Sequence, residues 1–357
     1  MLNPQTFRAI VSGQRRDAWA TVARGALRMA EFPYSFAMRR RNLGYDSGRR
    51  PSFAADVSVV SVGNLTLGGT GKTPLVEWIA RHFRQQQVRV AIVSRGYGAT
   101  DGASNDESLE LQERLPDVPL VQNPDRVAGA ATAVEELDCQ LIVLDDGFQH
   151  RRLRRNLDIV LLDALEPFGF EHVFPRGTLR EPIAGLARAN VVVLSRADMI
   201  DASQRAAIRN RVQTLAPIAV WAEAIHAPRQ LRGQSDIAPL TSLAGQKVAA
   251  FCGIGNPAGF RHTLANCQIE VAAWREFPDH HAYRREDVEQ LVRWADASEG
   301  TAVVCTHKDL VKLQVARLGQ RPLWALEIGL SLTEGEADLA ATLQVLVDRV
   351  KGDSDAN

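Results

Sequence analysis

Lysine is scarce in this 357-residue chain: arginine carries most of the positive charge, and Lys72 is the only lysine before Lys247. Cysteine is scarcer still. Cys139, Cys252, Cys267 and Cys305 stand far apart, which excludes a disulfide scaffold or a paired zinc site and suits a reducing compartment. Net charge is absent, with 42 basic residues against 42 acidic, so no global field points to nucleic acid. No apolar run is long enough to span a bilayer. The only candidate for a signal peptide follows Arg15, Arg16 and Asp17 and is interrupted by Arg24 and Arg28, the wrong pattern for one. Any membrane contact must then come from a surface.

The charge that is present is unevenly spread. Residues 1–50 hold ten arginines and three acidic residues, a balance of +7. Within them, Trp19, Val22, Ala23, Ala26, Leu27 and Ala30 recur at helical spacing and predict a helix over 14–42, with Pro33 a point of kinking or ending. Phe32, Tyr34, Phe36 and Met38 lead into Arg39, Arg40 and Arg41. Aromatics beside arginines suit an anionic membrane surface; they equally suit a helix packed on a core with its arginines in water.

A regular alternation follows. Apolar runs at Val57–Val62, Val88–Ser94, Leu141–Leu144, Asp158–Leu162 and Val191–Leu194 read as strands, separated by helical stretches such as Pro74–Phe83 and Arg126–Glu136. Strands apolar on both faces belong to a parallel sheet, so the fold class is α/β, mostly parallel and P-loop NTPase-like. Residues 228–246 are polar and irregular, and a second α/β stretch begins at Lys247. The expected division is 1–50, a basic and aromatic helical segment; 51–240, the phosphate-loop domain; and 241–357, a smaller α/β domain that closes over the cleft.

Between the first predicted strand and helix lies GNLTLGGTGKTP, Gly63–Pro74. It ends as the phosphate-loop pattern G-x-x-x-x-G-K-[ST] ends, with Gly71, Lys72 and Thr73, although Thr66 stands at the first glycine position. Gly68 and Gly69 supply the missing backbone freedom, and with Thr70 they complete a cradle of amides at a helix N-terminus. Lys72 would reach terminal phosphates and the Thr73 hydroxyl a Mg²⁺ ion. LIVLDDGFQH puts Asp145 and Asp146 at a strand end, where a metal opposite such a loop needs carboxylates; the bland alternative is a capped Asp-Gly turn. SRGYG, NDES and FPDHH also follow strands, and an Asp or His from them could accept a proton from a hydroxyl. The patches HRRLRR and RGTLREP suit an anionic substrate.

In order, GNLTLGGTGKTP, SRGYG, NDES, PDRVAGA, LDDGFQH, FPRGTLREP, GIGNP, FPDHH and THKDLVKL resemble the tetraacyldisaccharide 4'-kinase family, the lipid A 4'-kinases of Gram-negative bacteria. The resemblance implies transfer of the γ-phosphate of ATP, with Mg²⁺, to the 4'-hydroxyl of an acylated glucosamine disaccharide 1-phosphate. It also implies a peripheral place on an anionic membrane surface, at the cytoplasmic face of the inner membrane. It implies Asp106 as catalytic base, His280 as its partner and Lys72 as the phosphate-loop lysine. Thr73, Asp145, Asp146 and Glu107 form the implied metal set, and Asn64, His150, Arg176 and Arg180 the substrate set. Asn105 and Ser108 depart from the family's Gly and Pro, and His307 stands where Glu is usual, which leaves Lys308 and Asp309 a structural or nucleotide-adjacent role. Two rivals remain: a regulatory GTPase or metallochaperone, for which SRAD at Ser195–Asp198 is a degraded base-reading motif, and a non-enzymatic membrane adaptor with a relic loop.

Overall fold

The computed structural model describes residues 4–96, 106–279 and 281–355. Two helices, α1 (Pro4–Val11) and α2 (Ala18–Asp46), come first. Then follow β1 (Ser58–Asn64), α3 (Lys72–Gln85), β2 (Val90–Ser94), α4 (Asp106–Arg114), β3 (Leu120–Gln122), α5 (Arg126–Glu135), β4 (Leu141–Asp145), β5 (Leu157–Asp163), β6 (Val191–Ser195), α6 (Ala202–Leu215) and β7 (Val220–Arg232). The remainder is β8 (Ile237–Ala238), β9 (Lys247–Cys252), α7 (Pro257–Asn266), β10 (Glu270–Glu276), α8 (Arg285–Ala297), β11 (Ala302–Thr306), α9 (His307–Leu313), β12 (Arg317–Leu318), β13 (Arg321–Glu334) and α10 (Glu336–Asp355).

The chain gathers into two compact units. The first takes the residues up to Arg95, Val118–Ile225 and those from Leu332 on; the second takes Gly96–Asp117 and His226–Ser331. The division differs from the expected one in three ways. α10 belongs to the first unit, β7 extends to Arg232 into the start of what read as an irregular boundary, and α4, assigned by sequence to the first domain, belongs to the second unit. A pattern of apolar residues shows where strands lie but not which unit a connecting segment joins.

In the first unit the strands run in the order β7-β6-β5-β1-β4-β2-β3, and every pairing is parallel. β1 is buried along its whole length because β4 and β5 flank it and both faces are covered. Val59, Ala91, Val93, Ile142 and Leu144 form one apolar cluster with α5, while Val160, Leu162, Val192 and Leu194 form another with Phe148 and Leu186. From β1 the chain first builds toward β3 and later returns to add β5, β6 and β7 on the other side. The carboxyl end of β1 is therefore the switch point where parallel sheets gather ligands.

α2 passes through Pro33 without ending. Proline removes one helical hydrogen bond, but tertiary contacts hold the turns on either side. The Glu31 carboxylate accepts the Val173 amide at 2.8 Å, and the Tyr34 hydroxyl donates to the Arg180 carbonyl at 3.1 Å. In the second unit β10-β9-β11-β13 form a parallel array, with β12 antiparallel to β13.

Candidate active site

The loop after β1 is shaped from beneath. Asn64 is fully buried, and its amide donates to the Thr66 carbonyl at 2.9 Å and the Thr70 hydroxyl at 3.1 Å, so one side chain spans the turn. Its place in the expected substrate set does not fit that burial; Asn64 braces the loop. From outside, residues 178–180 lie against the loop like a short strand. The Leu67 amide donates to the Thr178 carbonyl at 2.7 Å and the Arg180 amide to the Leu65 carbonyl at 2.7 Å. RGTLREP is thus the backing of the loop as well as a basic patch.

Gly68 and Gly71 have φ of 107° and 82°, in the left-handed region that favours glycine, and Gly71 caps α3. At Gly69 an added Cβ would meet no protein atom within 4 Å. Open space faces the cradle there, as a polyanion would require. Thr70 and Thr73 are buried beside it. The first-turn amides of α3 have no acceptors within the helix and add to the anion-attracting end.

Asp146 follows β4 with φ 52°. Its carboxylate is not a simple turn cap. It accepts two hydrogen bonds from one Arg180 nitrogen, at 2.8 Å to each oxygen, and lies 3.4 Å from the Lys72 ammonium. Arg180 also donates through Nε to the Thr66 carbonyl at 3.0 Å. Burial pushes the Asp146 carboxyl up, but the charges of Lys72 and Arg180 outweigh it and hold the pKa at about 2. Asp145 ends β4 opposite Val62 of β1. Arg126, buried at the start of α5, is pulled down by burial and held up by Asp146 and Asp145, against Arg95. Arg126 lies in PDRVAGA and is not among the expected site residues; the signal legible in sequence is a cation in the first turn of a helix, where the dipole disfavours it.

His150 is half-buried near Arg126 and Arg152. Burial, then Arg126 and Arg152, push its pKa down to about 4, so it is a neutral imidazole near pH 7 and adds no charge to the basic patch. Arg176 points elsewhere, donating to the Val11 carbonyl at the end of α1 at 3.1 Å. A network missed by sequence reading stands beside the loop: fully buried Glu181 accepts from Arg188 at 2.8 Å, Asn42 at 2.7 Å and Gln149 at 3.2 Å.

His280 lies outside the described residues, as do Tyr97, Gly98 and Asn105 of the SRGYG and NDES loops and the side chains of Asp106 and Glu107. The backbone places Asp106 at the first turn of α4. Farther along that helix, Glu110 pairs with Arg114 at 2.8 Å, and His307 of α9 lies 3.0 Å from Glu113. The SRAD motif does not offer a base-stacking cation. Arg196 is buried and donates to Asp163 Oδ1 at 2.9 Å.

No group of three or more His, Cys, Asp or Glu side chains fit to hold a metal occurs among the described residues. A Thr73 hydroxyl with the Asp145 and Asp146 carboxylates is too small a set to enclose a cation. It fits Mg²⁺, which keeps waters and is shared with substrate phosphates.

Residues 23–348 match the family model described as Tetraacyldisaccharide-1-P 4'-kinase, LpxK. A tetraacyldisaccharide 4'-kinase of Anaeromyxobacter sp. (strain Fw109-5) is 38% identical, over 94% of this chain and 95% of that protein. One from Anaeromyxobacter dehalogenans (strain 2CP-C) is 40% identical over 92% of each. The crystal structure of LpxK from Aquifex aeolicus, described as an "apo" form in complex with ATP, superposes with a TM-score of 0.72 at 29% identity. The match covers 92% of this chain and 99% of that one.

Proposed function

The chain belongs to the tetraacyldisaccharide 4'-kinase family, and from that premise we propose how its own residues serve the reaction. The activity is ATP-dependent phosphorylation of tetraacyldisaccharide 1-phosphate at the 4' position. The observation that carries the reading is the cationic head of the glycine loop, where Lys72 and Arg180 converge on Asp146.

The loop amides and Lys72 hold the β- and γ-phosphates of ATP. Arg180 and Asp146 together fix the position of the Lys72 ammonium, so that little reorganisation is needed as charge shifts during transfer. Thr73, Asp145 and Asp146 would hold Mg²⁺, which neutralises phosphate charge when bound. The 4'-oxygen attacks the γ-phosphorus, the bond to the β,γ-bridging oxygen breaks, ADP leaves, and the hydroxyl proton passes to the Asp106 carboxylate. His280 orients that carboxylate. Asp106 and the loop bearing His280 both belong to the second unit, which suits their acting as one group. Arg126 and neutral His150 serve as polar contacts for the lipid's sugar-phosphate part.

The acyl chains stay at a membrane surface met by α2. Val22, Met29, Phe32, Phe36 and Leu43, between 62% and 79% exposed, recur at helical spacing along one stripe of that helix. Glu31, Tyr34, Arg41 and Asn42 bind the rest of the first unit from the other side. No described helix is long and apolar enough to cross a membrane; family membership supports a peripheral contact at the cytoplasmic face of the inner membrane.

The test is label transfer from γ-labelled ATP to the disaccharide 1-phosphate lipid in detergent, with Asp106→Asn and His280→Ala beside the native chain. Both variants should lose kcat while binding ATP, with losses less than additive in the double variant. Normal kcat in Asp106→Asn would remove it as the base, and failure to use ATP in preference to GTP would favour the GTPase reading.

A further inference from the structure

THKDLVKL has no part in the phosphate chemistry above, yet its aspartate is among the most thoroughly engaged side chains in the second unit. Asp309 is fully buried. Its Oδ1 accepts the Tyr283 hydroxyl at 2.8 Å and the Gly253 amide at 3.1 Å; its Oδ2 accepts the Thr306 hydroxyl at 2.6 Å. Burial pushes the Asp309 carboxyl up, and three donors on its two oxygens oppose that by replacing the water it has lost. They come from three motifs: Gly253 opens GIGNP, Thr306 opens THKD, and Tyr283 closes the loop that begins with FPDHH.

That loop is held from several further points. Lys312, one helical turn beyond Asp309, donates to the His281 carbonyl at 3.2 Å. The His281 ring stacks on Phe277 at 4.8 Å between centroids and meets the Tyr283 ring edge-on at 5.0 Å. GIGNP lies close against the same loop: a Cβ on Gly253 would come within 3.2 Å of the Tyr283 hydroxyl, and one on Gly255 within 3.0 Å of the Asp279 carboxylate. The flank after position 280, His281 to Tyr283, is thus tied to Asp309 and to Lys312 a turn away, and the Phe277 ring on the flank before it packs on the His281 and Tyr283 rings.

We propose that Asp309 is a positioning residue for phosphoryl transfer, acting through Tyr283 to set the loop 277–283 and so the placement of His280. The inference rests on the catalytic reading of His280. A buried carboxylate suits this task because its hydrogen bonds are short, charge-assisted and shielded from competing water.

Asp309→Asn is the direct variant, but a change at a fully buried site can unfold the unit. Tyr283→Phe removes one hydroxyl and keeps the ring stack, so it carries the test. Kinetics on the full chain with ATP and lipid, alongside thermal melts, should give a kcat lowered about tenfold, the size expected for one hydrogen bond to a charged acceptor. The KM for ATP should stay unchanged. In a His280→Ala background the same replacement should cost no further kcat. Equal losses in both backgrounds would make the hydroxyl a general support of the fold and overturn the inference. So would a His280→Ala enzyme that loses kcat while Tyr283→Phe does not. Normal kcat in His280→Ala would instead remove the catalytic reading of His280, and this inference with it.

Discussion

Arg180 is the side chain on which the geometry of the loop most depends, and Arg180→Met isolates its contribution by keeping an unbranched stem and removing every donor. The native guanidinium makes two hydrogen bonds to Asp146 and one to the Thr66 carbonyl. A hydrogen bond involving a charged group contributes about 1.5–3 kcal/mol. The Asp146 side chain is 37% exposed, so screening favours the low end and the three bonds do not add. A total of about 2–3 kcal/mol is expected, or about 30- to 150-fold in rate. The loss should fall on kcat/KM for ATP, because Asp146, left with one cation, draws Lys72 away from the phosphates. The assay is lipid phosphorylation across ATP concentrations, with a urea melt to confirm folding. A second readout is acid stability. A carboxyl held at about 2 instead of 3.8 contributes stability that is fully present above the ordinary value and lost as pH falls through the depressed one. In Arg180→Met the depression shrinks, so the acid-labile contribution should be smaller and its loss complete at a higher pH than in the native chain. A folded Arg180→Met protein with kcat/KM within twofold of native would refute the account of the loop.

Lys72→Ala should cost several kcal/mol of transition-state stabilisation, about a thousandfold or more in kcat/KM, in a protein that still melts cooperatively; near-native turnover would sink the phosphate-loop assignment. Replacing both Phe32 and Phe36 by Ser should weaken binding to anionic vesicles and slow lipid phosphorylation while leaving ATP binding intact, because both rings are exposed on α2; unchanged vesicle binding would make the stripe an ordinary surface. His150, pushed down to about 4 from 6.5, binds its proton more readily when unfolded, so its contribution to stability is present above 6.5 and is lost as pH falls toward 4. His150→Asn should flatten the stability profile in that window, and an unchanged slope from pH 6.5 to 4 would show that His150 is not the group responsible.

The sequence alone determined the α/β class, the parallel strands, the loop from Gly63 to Pro74 and the carboxylates at the end of β4. Each is written in local terms: runs of β-branched residues, a glycine-rich turn, a helix period, an Asp pair after an apolar run. Motif order also sufficed to resemble a family that the comparisons then showed. Tertiary structure decided the rest, because it brings together residues far apart in the chain. Asn64 became a brace because its burial depends on what covers β1. Arg180 reached Asp146 across 34 positions, while Arg176, four residues earlier in the same basic patch, turned to α1. His150 lost its charge to burial and to neighbouring arginines, an effect no single residue's identity carries. α4 joined the second unit through Glu110, Arg114 and His307, and Asp309 gathered three motifs that sequence could only set in order. Spacing along a chain specifies which groups are available; only the folded distances, and the water they exclude, decide which of them meet.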